Sequence, residues 1–94
     1  MATLIVKHSV SDYAKWKPVF DQHADTRKAA GCQGGTLFRD AQKPNDVTIV
    51  FRWNSVENAQ KFIASSDLKS TMEKAGVLGQ PQASFLNDAG QFAS

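Results

Sequence analysis

The sequence contains few of the residues that metal sites and disulfide frameworks need. Cys32 is the single cysteine among 94 residues, which excludes an internal disulfide and a multi-cysteine zinc site. We interpret it as a small buried apolar residue. The chain has two histidines and no His-Glu-x-x-His motif, and it lacks a Gly-x-Ser-x-Gly turn and a phosphate-binding glycine-rich loop. We therefore expect neither a metal nor a bound cofactor.

Long apolar segments are also missing. No run approaches the roughly 20 residues of a membrane-spanning helix, and residues 2–7 read as a strand rather than as a signal peptide. The formal charge is only +2, with 11 basic and 9 acidic side chains interspersed along the chain. A basic stripe for nucleic acid is therefore not predicted. We expect a cytoplasmic protein that binds neither membrane nor nucleic acid.

The order of the predicted elements is a strand, a long helix, a two-strand hairpin, a helical region and a last strand. That order predicts an α+β fold, the ferredoxin-like βαββαβ sandwich, in which an antiparallel sheet carries helices on one face only. We expect one domain over 1–94, with a frayed tail at 88–94. A chain of 94 residues that leaves one sheet face uncovered is typically completed by a copy of itself, so we predict a homodimer.

Local signals place the boundaries of these elements. Alternating and β-branched residues predict strands at 3–9, 32–40, 47–53 and 83–86. Apolar spacing predicts one long helix over 13–30, and Pro18, which cannot donate an amide hydrogen bond, predicts that its main part begins there. The remaining signals are two helix-capping serines, two glycines at a bulge and two helix-ending glycines: Ser55, Ser65, Gly34, Gly35, Gly31 and Gly76.

The predicted long helix carries the residues best suited to chemistry. His23 and Arg27 lie four residues apart on its apolar stripe, so both side chains point toward the sheet or toward a cavity beside it. In a functional interpretation Arg27 stabilises negative charge on oxygen and His23 transfers a proton. The alternative is structural: Arg27 reaches solvent near the helix end and His23 is a hydrogen-bonded residue at the edge of the core.

Large aromatic residues supply candidate walls for such a cavity. We predict that four of them bind a flat organic ligand, although each also suits simple packing or a subunit contact: Trp16, Phe20, Phe51 and Trp53. The same element order occurs in RNA-recognition modules, but their third strand carries a basic residue, a glycine and exposed stacking rings. Residues 47–53 contain no glycine, which disfavours that interpretation.

Several short segments resemble the dimeric α+β barrel superfamily, and within it the antibiotic-biosynthesis-monooxygenase-like and cyclase-like small proteins. The resemblance covers nearly the whole chain and rests on these segments: Phe51-Arg52-Trp53-Asn54-Ser55, Trp16-Lys17-Pro18-Val19-Phe20 and Ala75-Gly76-Val77. It implies a homodimer whose two sheets face each other, with a ligand cavity in each subunit. Some relatives oxidise polycyclic phenols to quinones without metal or flavin, and others degrade haem, isomerise or cyclise.

The chain departs from these relatives at two positions where they often carry histidine. Phe62 and Asp67 stand there, and the second half of the chain contains no histidine, which disfavours haem chemistry. A phenol-oxidising activity needs chiefly an aromatic pocket and a group that steadies a phenolate. We therefore expect a homodimer that binds a small aromatic molecule and acts as a cofactor-free oxygenase or cyclase. The alternative is a dimeric interaction module without catalysis, and it predicts a filled core.

Overall fold

A computed structural model of the protein describes residues 2–94. The chain forms eight elements in this order: β1 (Ala2–Val10), α1 (Tyr13–Gln22), α2 (Ala24–Ala30), β2 (Cys32–Arg39), β3 (Asp46–Trp53), α3 (Val56–Ile63), α4 (Ser66–Ala75) and β4 (Val77–Asn87). The strands make one four-stranded sheet in the order β2-β3-β1-β4, with every neighbouring pair antiparallel. The predicted α+β ferredoxin-like fold is confirmed.

The two faces of the sheet differ in what covers them. Leu4 and Val6 of β1 are paired with Phe51 and Ile49 of β3, and these four side chains are buried beneath the helices. Because successive side chains of a strand point to opposite faces, the residues between them form a second face without helices. Large apolar side chains on that face are exposed: Phe38, Leu78 and Leu86.

The helix break is at His23, and the prediction that the main helix begins at Pro18 is wrong. Helix α1 runs through Pro18, whose missing N–H affects only the carbonyl of the exposed Ala14 one turn earlier. At His23 the backbone leaves helical geometry, with φ −86° and ψ 3°. The carbonyl of Phe20 there accepts hydrogen bonds from the His23 amide and from Nη1 of Arg27, at 3.3 and 2.7 Å. The predicted long helix is therefore two helices.

The last strand is longer than predicted and runs through Pro81. β4 lies at the edge of the sheet, and its pairing with β1 shifts between Lys7 and Ser9, opposite the segment that contains this proline. Proline is tolerated at such irregular edge positions because no ladder hydrogen bond is lost. The prediction that only 83–86 form the strand is wrong.

The predicted caps and the predicted bulge are confirmed. Ser55 and Ser65 accept hydrogen bonds from the amides of Asn58 and Leu68, both at 3.1 Å. The pairing of β2 with β3 shifts between Cys32 and Gly34. A Cβ atom on the following residue, Gly35, would lie 2.1 Å from the carbonyl oxygen of Val50. The glycine thus allows the two backbones to approach closely at the bulge.

Candidate functional site

A cavity of about 490 Å³ lies between the helices and the sheet, at the junction of α1 and α2. Five of the six residues predicted as catalytic or ligand-binding line it: Trp16, Phe20, His23, Arg27 and Phe51. The floor comes from β1 and β3, one wall from α1 and the other from α4 and the start of β4. The core is therefore not filled at the position where the sequence predicted function.

Trp53 is the exception, and its prediction as a ligand wall does not fit the structure. Its side chain is fully buried and packs against Phe62 of α3, with the ring centroids 5.1 Å apart. It is not among the residues that line the cavity. The alternation of β3 correctly places it on the helix face, but α3 covers that end of the strand. Trp53 is a core residue.

An aromatic stack forms one wall of the cavity. Trp16 and Phe20 are one helical turn apart on α1, and their rings stack with centroids 4.9 Å apart and an interplanar angle of 23°. The ring of Phe51 lies across from Phe20 at 6.3 Å. The faces of Phe20 are covered by Trp16 and by the Arg27 guanidinium, so these rings give the cavity a rigid apolar wall. The cavity is thus suited in shape and polarity to an aromatic molecule.

Arg27 places a positive charge against this stack. The guanidinium carbon lies 3.9 Å from the centroid of the Phe20 ring, and Nη1 donates to the carbonyl of the same residue. The side chain is half-buried, and this burial lowers the pKa of the guanidinium from its ordinary value, although the group stays protonated at neutral pH. Among residues 2–94 no carboxylate lies within ion-pair distance of Arg27. A partly desolvated cation without a counter-ion favours an anionic ligand.

His23 lies at the mouth of the cavity and is oriented by a carboxylate. Its Nε2 is 3.3 Å from Oδ2 of Asp67, in the first turn of α4. Only 11% of the His23 side chain is exposed, against 74% for Asp67. The ring also packs near Phe62, at 5.9 Å between centroids. The His23 ring is therefore hydrogen-bonded at the edge of the core and also lines the cavity.

His8 is a residue of the cavity that the sequence pattern did not predict. It lies on the cavity side of β1, and its ring contacts Trp16 edge-on with centroids 5.6 Å apart. Among residues 2–94 neither ring nitrogen finds a hydrogen-bond partner, and both are shielded from solvent. A signal for it was present, because His8 follows Leu4 and Val6 on the buried face of the strand and polar residues rarely occupy such positions unpaired.

Three further features of the sequence can be located in the structure. Cys32 is half-buried rather than buried, and it borders a smaller space of about 130 Å³ beside Arg27. Within residues 2–94, no three histidine, cysteine or acidic side chains come together as a candidate set of metal ligands. No helix in that part of the chain is both long enough and apolar enough to cross a membrane.

Solved structures with the same architecture align with almost the full length of the chain. A Bordetella bronchiseptica protein assigned to the antibiotic biosynthesis monooxygenases superposes with a TM-score of 0.78, covering 94% of this chain and 96% of its own, at 22% identity. SnoaB, a cofactor-independent oxygenase from Streptomyces nogalater, superposes with a TM-score of 0.76, covering 99% and 97%, at 15% identity.

This is the fold of the antibiotic biosynthesis monooxygenase-like proteins. A third structure with this monooxygenase-like fold, assigned to the same group and from Caulobacter crescentus, has a TM-score of 0.73 at 17% identity and covers 95% of this chain and 90% of its own. No protein-family model and no curated protein sequence matches the chain. The resemblance read from the short segments is confirmed at the level of the fold.

The buried position of His8 predicts a pH-dependent stability. Burial lowers the pKa of its imidazole in the folded state below the ordinary value of about 6.5. As the pH falls below 6.5, the unfolded chain takes up this proton and the folded chain does not. The free energy of unfolding therefore falls with acidification, by at most about 1.4 kcal/mol per pH unit.

Urea denaturation of wild type and of His8→Phe between pH 7.5 and 5 measures this contribution. Both proteins retain His23, so the difference between their pH profiles isolates His8. We expect a flatter profile for His8→Phe. Identical slopes in the two proteins would show that His8 does not carry the effect.

Proposed function

We propose that this protein binds a flat aromatic molecule through an oxygen anion at Arg27, and that it oxidises this molecule without a metal or an organic cofactor. The observation that carries the proposal is the half-buried guanidinium of Arg27, which has no carboxylate partner within residues 2–94, at a mostly apolar cavity of about 490 Å³ that Lys69 and Glu73 also border. The alternative, an interaction module without catalysis, predicts a filled core with the His23 and Arg27 side chains in water. The cavity that both residues line favours the first interpretation.

The geometry supports a phenolate or carboxylate as the group recognised by Arg27. Nη1 of Arg27 is used by the Phe20 carbonyl, and the guanidinium carries further N–H donors that can face the cavity. A hydrogen bond from a cation to an anionic oxygen strengthens where water is excluded. The rings of Trp16 and Phe20 form the apolar wall against which the ligand packs. Binding thus combines one charged contact with a large apolar surface.

The proposed reaction follows from what such a site can stabilise. A phenolic substrate loses a proton, and the resulting oxygen anion is held by Arg27. The electron-rich ring reduces dioxygen, so that one oxygen atom becomes a quinone carbonyl and the other leaves as water, while the ring loses two hydrogens. His23, oriented by Asp67, is the group proposed to transfer the proton. The structural likeness to SnoaB, described as a cofactor-independent oxygenase, supports this reaction class.

Removing the guanidinium tests the binding step. For Arg27→Gln we expect the affinity for 2-naphthoate to fall by about 10- to 100-fold, since a hydrogen bond to a charged group contributes about 1.5 to 3 kcal/mol. Lys28→Gln removes a neighbouring exposed charge and should bind like wild type. Isothermal titration calorimetry on folded proteins gives the three affinities. Equal affinities for wild type and Arg27→Gln would contradict the role of Arg27.

Oxygen uptake tests the reaction. Anthrone with dioxygen gives anthraquinone and water, and its enol form presents the required oxygen anion after losing a proton. We expect uptake above the buffer rate in the presence of a chelator and without added flavin, and at least about 10-fold slower uptake with Arg27→Gln. His23→Asn should lower the rate constant more than the affinity. Uptake at the buffer rate would contradict an oxygenase for this class of substrate and favour the binding module.

We also propose that the protein is a homodimer formed through the open face of the sheet. That face exposes Phe38, Leu78 and Leu86 at 51%, 55% and 42%. Isolated large apolar side chains are normal on a surface, but three on one uncovered sheet face suit a self-complementary contact. A second copy of the chain brings a matching face of the same shape and composition. The cytoplasmic location predicted from the sequence stays a prediction.

Light scattering after size exclusion tests the dimer. Wild type is expected at about twice the 10.3 kDa of one chain. The double variant Leu78→Lys and Leu86→Lys should be a monomer, because it places like charges in the proposed contact. Ala29→Lys adds a charge to the exposed side of α2 instead and should stay dimeric. A monomeric wild type, or a dimeric double variant, would contradict this interface.

A further inference from the structure

His8 is a half-buried side chain with shielded ring nitrogens, and the proposed reaction leaves its role open. Its ring is part of the cavity wall, yet both nitrogens are out of contact with solvent and without a hydrogen-bond partner. Buried polar side chains in folded proteins are normally paired, and leaving them unpaired is destabilising. Within residues 2–94 the indole N–H of Trp53 is in the same state, but of the two side chains only His8 borders the cavity and can meet a ligand there.

The protonation state of His8 defines what that partner must offer. Burial lowers the pKa of the imidazole, so that the ring is neutral at pH 7 and presents one N–H donor and one acceptor nitrogen. An anion would find only one donor here, whereas a hydroxyl group can donate to the acceptor nitrogen. His8 therefore suits a neutral hydroxyl, in contrast to the cationic Arg27.

The two polar groups lie at opposite ends of the aromatic stack. The His8 ring is 5.6 Å from the Trp16 ring, Trp16 is 4.9 Å from Phe20, and the Arg27 guanidinium is 3.9 Å from Phe20. Two aromatic rings thus separate the imidazole from the guanidinium along the wall. A ligand that spans the stack meets a cation at one end and a neutral imidazole at the other.

We infer that His8 is a second ligand-binding residue, which accepts a hydrogen bond from a hydroxyl group of an aromatic ligand whose anionic oxygen lies at Arg27. The inference rests on the proposed function, because it assigns the other end of the same ligand. The ligand class is a hydroxyaromatic acid, or a fused aromatic with two oxygen substituents on opposite sides. Because both nitrogens are shielded in this structure, binding includes a rotation of the imidazole about its Cβ–Cγ bond, a torsion with broad preferences.

A role for His8 as the base that ionises the ligand does not fit. A phenol has a pKa of about 10, whereas the pKa of His8 lies below its ordinary value of about 6.5. The hydroxyl at His8 also lies at the far end of the stack from the Arg27 cation, which stabilises the anion formed in the proposed reaction. Transfer of its proton to His8 lacks that stabilisation, while a hydrogen bond from the same hydroxyl leaves the proton on the ligand. His8 determines which ligand binds and in which orientation.

Three matched probes separate the two ends of the site. 2-Naphthoate carries only the anion, 2-naphthol only the hydroxyl, and 6-hydroxy-2-naphthoate both on opposite sides of a fused ring. We expect wild type to bind the hydroxy acid about 5- to 10-fold more tightly than 2-naphthoate, the increment of one hydrogen bond. In His8→Phe the ratio of the affinity for the hydroxy acid to that for 2-naphthoate should fall to about 1, with the affinity for 2-naphthoate little changed. His8→Gln keeps an acceptor and should restore part of the ratio.

A spectroscopic measurement on the wild type is independent of whether the variants fold. In ¹⁵N-labelled protein the ring nitrogens of His8 should shift on addition of 2-naphthol or of the hydroxy acid, and much less with 2-naphthoate. A ratio that is unchanged in His8→Phe, or His8 nitrogens that respond equally to all three probes, would overturn the inference.

The binding results for the three probes also distinguish this inference from the proposed function. If 2-naphthol binds in a His8-dependent way and 2-naphthoate does not bind, the role of Arg27 fails and that of His8 stands. If 2-naphthoate binds through Arg27 and the hydroxyl adds nothing, the role of His8 fails and that of Arg27 stands. If none of the three probes binds, both are overturned.

Discussion

The hydrogen bond from Arg27 to the carbonyl of Phe20 is the contact on which the candidate site depends. It occurs where the helical hydrogen-bond pattern is interrupted, and it supplies a donor to a carbonyl at the end of α1. The same contact folds the guanidinium over the Phe20 ring. One interaction thereby links the end of α1 to α2 and holds a positive charge at the edge of an aromatic cavity.

The two faces of the sheet have different proposed roles, and alternate residues of each strand belong to opposite faces. On β1, Val6 and His8 face the cavity, while Ile5 and Lys7 belong to the open face proposed as the dimer contact. A dimer would restrain β1 and β3 from the side opposite the ligand. Formation of the dimer and the shape of the cavity are therefore physically linked, and a change on the open face can alter binding without touching the ligand.

The fold could be predicted from the sequence because its signals are local and mutually consistent. Ser55 and Ser65 cap helices, Gly31 and Gly76 end them, and alternation in β3 defines the buried face. The helix break could not be predicted, because it depends on a side chain seven residues away that competes for the Phe20 carbonyl. The ligand-wall interpretation of Trp53 does not fit, and His8 was not predicted as a site residue, for a related reason. Alternation tells which face a residue occupies, and only tertiary packing decides whether a helix or a cavity covers it.

A crystal structure of the protein with bound 2-naphthoate tests the central claim most directly. The account predicts a naphthalene ring against Trp16 and Phe20, with a carboxylate oxygen about 2.7 to 3.2 Å from a guanidinium nitrogen of Arg27. It would be contradicted by a ligand bound elsewhere, by a carboxylate directed away from Arg27, or by a core in which the side chains close the cavity and leave no room for a ligand.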